Sequence, residues 1–176
     1  LAGRYDHNRL DDHAFVGDPY GELQKRGVLA RVNHQLLKGA ELTFSAKETA
    51  EIESMHKVPR SIEAQLGEDV ERNRRIVESI VDLPDDWTVL LFATSVENAR
   101  VLAAMLSFKG VSAVAVSGDT DGRARKHYVD EFKAGRIRVI TNYAVLTQGF
   151  DAPRVQAVYV TRPTFSPNVY QQMIGR

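Results

Sequence analysis

Val139-Ile-Thr-Asn-Tyr-Ala-Val-Leu-Thr-Gln-Gly-Phe-Asp-Ala-Pro153, with the closing Tyr170-Gln-Gln-Met-Ile-Gly-Arg176, decides how this chain is read. The run from Arg136 to Thr141 has the length and apolar character of a buried strand, and it delivers Thr141 and Asn142 to its carboxyl end. A turn carrying Thr147, Gly149 and Asp151 follows, then a second apolar run from Val155 to Val160. A last helix, expected to start near Pro167, brings Gln172, Gly175 and Arg176. Open α/β sheets bind ligands beyond the carboxyl ends of their parallel strands. Hydroxyls, a glycine that permits close backbone approach and an arginine suit a nucleotide phosphate or a nucleic-acid backbone.

Working outward, the same strand–helix rhythm begins at Trp87. Thr88 to Ala93 is a continuous apolar run, as expected of a strand covered on both faces. Thr94 is placed to N-cap the next helix, with Glu97 three residues on as a capping box. That helix would bury Val96, Ala99, Leu102, Ala103 and Leu106 and end at Gly110. A strand from Val111 to Val116, a Ser117-Gly-Asp-Thr-Asp121 turn and a helix over 121–134 ending at Gly135 complete the next unit. Short parallel strands joined by helices imply right-handed crossovers and a doubly wound sheet with helices on both faces, an α/β fold.

The first half is less regular. Residues 1–27 read as a linker or arm, with one or two helical turns between Pro19 and Arg26. Alternation from Val28 to Leu37 predicts a half-buried strand, and Glu41 to Phe44 a second short one. Helices are expected over 46–57 and 61–83, the latter with Ile76, Val77, Ile80 and Val81 on one stripe and Arg72, Arg74 and Arg75 on the other face. The expected organisation is an arm (1–27), a strand with helices packed on the core (28–87) and the core domain itself (88–176).

Composition narrows the function classes. A chain of 176 residues with 43% hydrophobic content buries one good core. No apolar run reaches the roughly 20 residues that span a bilayer, so no membrane partner is expected. There are no cysteines, hence no disulfide or thiolate metal site, which fits a reducing cytoplasm. The histidines are too scattered for a metal-ligand pattern, and no metal is expected on this chain itself. Formal net charge is zero, so any nucleic-acid contact is local rather than a matter of bulk charge. Arg123, Arg125, Lys126, Lys133, Arg136 and Arg138 form one local excess of positive charge, readable as a phosphate-facing patch or as a solvated helix face. The chain starts at Leu1 and stops inside its last helix, and it reads as a piece of a longer polypeptide.

Thr141-x₅-Thr147-x-Gly149-x-Asp151-x-Pro153 resembles motif V of superfamily 2 helicases and translocases. Gln172-x-x-Gly175-Arg176 resembles the first part of their motif VI, and Val89-Leu-Leu-Phe-Ala-Thr-Ser95 is similar to motif IV. The resemblance covers residues 88–176 closely and the first half only loosely. It implies a RecA-like C-terminal motor domain, of the DEAD/DEAH, restriction-subunit-like or repair-helicase-like kind. By that resemblance Gly149, Asp151 and Arg176 would contact ATP, with Arg176 and Gln172 acting in hydrolysis and coupling. Thr94, Ser95, Ser117, Gly118, Thr141, Asn142 and Thr147 would contact nucleic acid, DNA in preference to RNA. The family's second arginine, three residues past the first, lies beyond Arg176.

Plainer readings stand beside these. N-capping explains Thr94 and Ser95, turn capping explains Thr141, and Gly-Phe-Asp-Ala-Pro is a turn signal on its own. No Gly-x-x-x-x-Gly-Lys-Ser/Thr loop and no acidic Mg²⁺ box occur in the chain. In the resembled family both belong to a preceding RecA-like domain of the same polypeptide, which would hold ATP and Mg²⁺, so this chain alone is expected to be inactive. The competing expectations are a nucleic-acid- or protein-binding scaffold that keeps the fold, and a doubly wound nucleotide binder. The last is disfavoured because no Gly-x-Gly-x-x-Gly follows a strand.

Overall fold

A computed structural model describes residues 25–26, 33–40, 42–55, 58–146, 154–164 and 166–174. The chain divides into two compact units, Leu1–Leu37 and Lys38–Arg176. Every element described below belongs to the second.

Three helices come first: α1 (Ala46–Met55), α2 (Arg60–Glu68) and α3 (Val70–Val81). They are followed by β1 (Thr88–Phe92), α4 (Val96–Phe108), β2 (Ala113–Val116), α5 (Gly122–Lys133), β3 (Val139–Asn142), β4 (Val155–Val160) and α6 (Pro167–Ile174). The strands form one parallel sheet in the order β2-β3-β1-β4. Travel along the sheet reverses between the α4 and α5 crossovers, so a right-handed connection puts the two helices on opposite faces.

The cores confirm this. Val89 and Leu91 of β1 join Ile76, Val77 and Ile80 of α3 and Ala99, Leu102 and Leu106 of α4 on one face. Leu90 and Phe92 join Phe132 of α5, Ile140 of β3 and Met173 of α6 on the other. Alternate residues of one strand thus feed two cores, which is why β1 reads as an unbroken apolar run. Each fully buried Leu, Ile or Phe there is worth about 1.5–3 kcal/mol of apolar transfer. Gly110 and Gly135, at φ of +81° and +78°, end α4 and α5 in the left-handed conformation that glycine reaches without Cβ strain.

The first half departs from its sequence expectations. Residues 33–37 and 42–44 are not strand, and Leu36 is fully exposed; residues 28–32 and Glu41 lie outside the described residues. Alternation can form a strand only where a neighbour takes its backbone hydrogen bonds, and among the described residues none of 33–40 or 42–44 is in a strand. The helix expected over 61–83 is two helices. Asp69 leaves the helical region at ψ 100°, and its carboxylate accepts from the Arg72 amide to cap α3. Arg72 was expected on the polar face with Arg74 and Arg75 but is buried, whereas Val81 is exposed. Arg72 precedes Ile76 by four residues, so the two share the inward stripe. Burial lowers the pKa of its guanidinium, which donates to the Leu66 carbonyl at 3.1 Å and to the Thr161 carbonyl.

Candidate nucleic-acid and nucleotide site

Four parallel strands end at one edge, and the segments leaving them are 93–95 after β1, 117–121 after β2, 143–146 after β3 and 161–164 after β4.

After β1, the N-cap of α4 is Ser95 rather than Thr94. The Ser95 hydroxyl accepts from the Asn98 amide at 3.0 Å. Thr94 is completely buried, one residue too early to reach that turn, and its Oγ1 has no hydrogen-bond partner among the described residues. Asn98 organises the surroundings. Its Nδ2 donates to the Gly67 carbonyl at 3.1 Å and to Asn73 Oδ1 at 3.0 Å, while Asn73 Nδ2 donates to the same Gly67 carbonyl at 2.7 Å. A buried amide triangle therefore joins the end of α2, the first turn of α3 and the start of α4. Glu97, in the first turn of α4, has its pKa lowered by its own backbone amide and the Ser95 hydroxyl.

After β2, the turn closes on itself. The Ser117 amide donates to Thr120 Oγ1 at 2.9 Å. One nitrogen of the Arg125 guanidinium then donates to the carbonyls of Ser117, Gly118 and Thr120 at 3.0–3.1 Å. Asp121 caps α5 through the amides of Arg123 and Ala124. Ser117 is buried and Gly118 exposed.

At the end of β3, Thr141 and Asn142 face inward. Thr141 Oγ1 donates to the Ala99 carbonyl of α4 at 2.7 Å, and Asn142 Nδ2 donates to the Leu91 carbonyl at 2.9 Å. Neither residue has exposed surface. They tie β3 to α4 and β1, and in this arrangement they offer a ligand no surface. Ala144 and Leu146 beyond them take φ of 54° and 60°. Holding non-glycine residues in that left-handed region costs of order 1–3 kcal/mol each, a strain that clusters at functional loops.

After β4, Thr161 Oγ1 donates to the Phe92 carbonyl at 2.8 Å. The Arg162 guanidinium lies 3.4 Å from Glu63 of α2 and 5.0 Å over the Tyr143 ring. Glu63, Gly67, Ser95, Asn98 and Tyr143 line a groove of about 780 Å³ at this edge. Sequence reasoning singled out neither Arg162 nor the Asn73–Asn98–Gly67 triangle, because each joins residues far apart in the chain.

Thr147, Gly149, Asp151, Gly175 and Arg176 lie outside the described residues. Gln172 is on the exposed side of α6, beside the buried Met173. Three of the six residues of the basic cluster, Arg125, Arg136 and Arg138, are engaged in structure. Arg136 makes a two-pronged bond to Glu131, and Arg138 donates to the carbonyls of Ile80, Leu83 and Pro84. Among the described residues no group of three His, Cys, Asp or Glu side chains could hold a metal ion, and no helix is long and apolar enough to cross a membrane.

Comparison with known proteins agrees with this architecture. The family described as "Helicase conserved C-terminal domain" matches residues 72–176. A Saccharomyces cerevisiae protein named "Putative ATP-dependent helicase IRC3" is 25% identical over 158 residues, covering 86% of this chain and 23% of its own length. The "ATP-dependent RNA helicase DBP3" of Meyerozyma guilliermondii is 27% identical over 106 residues, covering 60% of this chain and 20% of its own. The chain thus spans about a quarter or less of these relatives. Among solved structures, the C-terminal domain of the DEAD-box protein Dbp5 superposes with a TM-score of 0.54 at 25% identity, over 61% of this chain and 62% of that one. S. cerevisiae Dbp5 bound to RNA and ADP BeF3 superposes with a TM-score of 0.51 at 27% identity, over 65% of this chain and 29% of that one. With its parallel sheet, two-sided core and matched motifs, the chain belongs to the helicase conserved C-terminal domain family, as a RecA-like C-terminal domain of superfamily 2.

Proposed function

We propose that this chain is the second motor domain of an ATP-dependent helicase or translocase. It grips one strand of nucleic acid at the carboxyl edge of its sheet and completes an ATP site held mainly by a first RecA-like domain. The observation that carries the reading is the common edge at which β1 to β4 end. The Ser95-capped start of α4 leaves backbone amides there, and a helix N-terminus attracts phosphate through those amides and its partial positive charge. Ser117 and Gly118 present a second turn at the same edge.

In this reading Thr94, Thr141 and Asn142 hold the edge in shape, while Ser95, Gly118 and Thr147 meet the strand. Gly149 and Asp151 would approach the ribose, and Arg176, aided by Gln172, would face the γ-phosphate. A guanidinium supplied from across a cleft stabilises the charge that builds on the transferring phosphoryl group. Mg²⁺ would belong to the first domain. Steady-state ATPase of the polypeptide carrying both domains, with and without single strands, tests the assignment. Arg176→Ala should lower the stimulated rate by on the order of 10³ or more. An unchanged rate removes Arg176 from the catalytic role.

DNA and RNA are both compatible with backbone contacts, which carry no base information. The expectation of DNA, and of a restriction or repair setting, gains no support from relatives whose names include RNA helicases. Competition between DNA and RNA oligonucleotides of one sequence decides between them. One observation favours the second reading, a scaffold that keeps the fold: three of the seven residues expected on nucleic acid, Thr94, Thr141 and Asn142, have no exposed surface. Nucleic-acid binding without stimulated ATP hydrolysis by the two-domain polypeptide would favour it.

A further inference from the structure

We propose that Arg162 is an additional phosphate-contacting residue of the nucleic-acid edge, held back by Glu63 of α2 until a strand arrives. The proposal rests on the nucleic-acid reading above and adds a residue that none of the motifs contains.

Arg162 leaves the carboxyl end of β4, the neighbour of β1, and meets Tyr143 of the segment after β3. Its side chain is partly exposed, and its contacts are loose for an arginine. One terminal nitrogen is 3.4 Å from Glu63 Oε1, longer than a charge-assisted hydrogen bond of about 2.7–2.9 Å. Nε is buried without a partner among the described residues. The guanidinium carbon lies 5.0 Å from the centre of the Tyr143 ring, a cation–π contact that uses no N–H. The neighbouring Arg72 shows what a structural arginine looks like here: it is more deeply buried and donates to two carbonyls. Arg162 thus holds a terminal nitrogen against Glu63 at a distance that a phosphate oxygen could better.

Glu63 and Tyr143, the side chains that meet the Arg162 guanidinium, line the same groove as Ser95 and Asn98. Glu63, Glu68 and Glu97 outnumber Arg60 along that groove. As it stands the groove disfavours an anion, and the carboxylate nearest Arg162 is the one a phosphate would displace. A strand that reaches Ser95 therefore competes with Glu63 for Arg162. Because α2 is tied to α4 through Gly67, that exchange would also load the α2–α4 junction.

Breaking the Glu63–Arg162 pair from its two sides separates binding from stability. The intact chain, Arg162→Gln, Arg162→Lys and Glu63→Gln are titrated with a fluorescent single-stranded oligonucleotide across a salt series. Arg162→Gln should weaken binding roughly tenfold and reduce the slope of log K against log salt by about 0.7, the loss of one single-strand phosphate contact. Arg162→Lys should restore the slope. Glu63→Gln should tighten binding roughly threefold. A purely structural pair would make Glu63→Gln and Arg162→Gln fall together, and that parallel loss overturns the proposal. An unchanged slope in Arg162→Gln, with the parent chain binding normally, also overturns it and leaves the wider nucleic-acid reading standing. A parent chain that binds no oligonucleotide at any salt overturns both.

Discussion

The turns after β1 and β2 stand at the same edge of one sheet, yet they are held in different ways. The turn at Ser117–Thr120 is closed within its own unit, by Thr120 and by the Arg125 guanidinium eight residues on. The turn at Thr94–Ser95 is held from outside, because Asn98 reaches back to Gly67 of α2 and Asn73 of α3. A locally closed turn keeps its shape whatever its neighbours do. A turn tied across elements transmits their movement, so α2 is in a position to set how the start of α4 is presented to a strand.

Cutting the cross-element tie should give the largest effect. Asn98→Ala removes both donor bonds and leaves the buried Asn73 Oδ1 without its Asn98 partner. A loss of about 3 kcal/mol is expected in urea denaturation. A loss under about 1 kcal/mol would show that the triangle does not hold the junction. Gly67→Ala probes the same point through space. A Cβ there meets Thr94 Oγ1 at 2.9 Å and Asn98 Cβ at 3.2 Å. Crowding of about 1–3 kcal/mol should outweigh the gain of about 1 kcal/mol from replacing a helical glycine. A more stable variant would mean that the α2–α4 contact yields.

For the locally closed turn, Arg125→Ala should cost less, about 1–2 kcal/mol, since it frees carbonyls that water can reach. Arg123→Ala on the same helix should stay within about 0.5 kcal/mol, and equal effects would erase the distinction between the two arginines. The smallest effect is expected from pH. Glu48, Glu97 and Glu131 all titrate below the ordinary carboxylate value, held down first by the Ser61 hydroxyl, the Glu97 amide and the Arg136 guanidinium respectively. A lowered folded pKa means that each contribution is complete above the unfolded value of 4.5 and fades as pH falls through the folded one. Stability should be flat near neutrality from these groups and decline below about pH 4.5, with the decline shallower in Arg136→Ala. An identical acid profile in that variant would remove Glu131 from the account.

What the sequence made legible was local. The apolar runs of β1 and β4 and the glycine stops at 110 and 135 are written in adjacent residues, and the structure follows them. β2 and β3 start two or three residues later than expected: the paired register begins at Ala113 and Val139, although the carbonyls of Ser112 and Arg138 already accept from the neighbouring strands. The α2–α3 break was marked by Asp69, a good N-cap in the middle of an otherwise helical pattern. Alternation at Val28–Leu37 did not carry a strand through the described residues 33–37, because a period of two says nothing about whether a partner strand exists. At the candidate site, residue types pointed to the carboxyl edge of the sheet, where nucleic acid is proposed to bind, but not to which side chains face outward. Thr141 and Thr94 look like Ser95 in sequence, and only packing turns the first two inward. Glu63–Arg162 and Asn98–Gly67 span too much chain for any local pattern to reveal.

The central claim is that nucleic acid meets the carboxyl edge of the sheet. Amide chemical shifts of the isotope-labelled chain, followed during titration with a short single-stranded oligonucleotide, test it most directly. Shifts are expected to concentrate at Val96, Glu97, Gly118, Asp119 and Arg162, with Trp87, Ser112 and Arg138 at the opposite edge unmoved. Shifts centred on Trp87, Ser112 and Arg138 would contradict it.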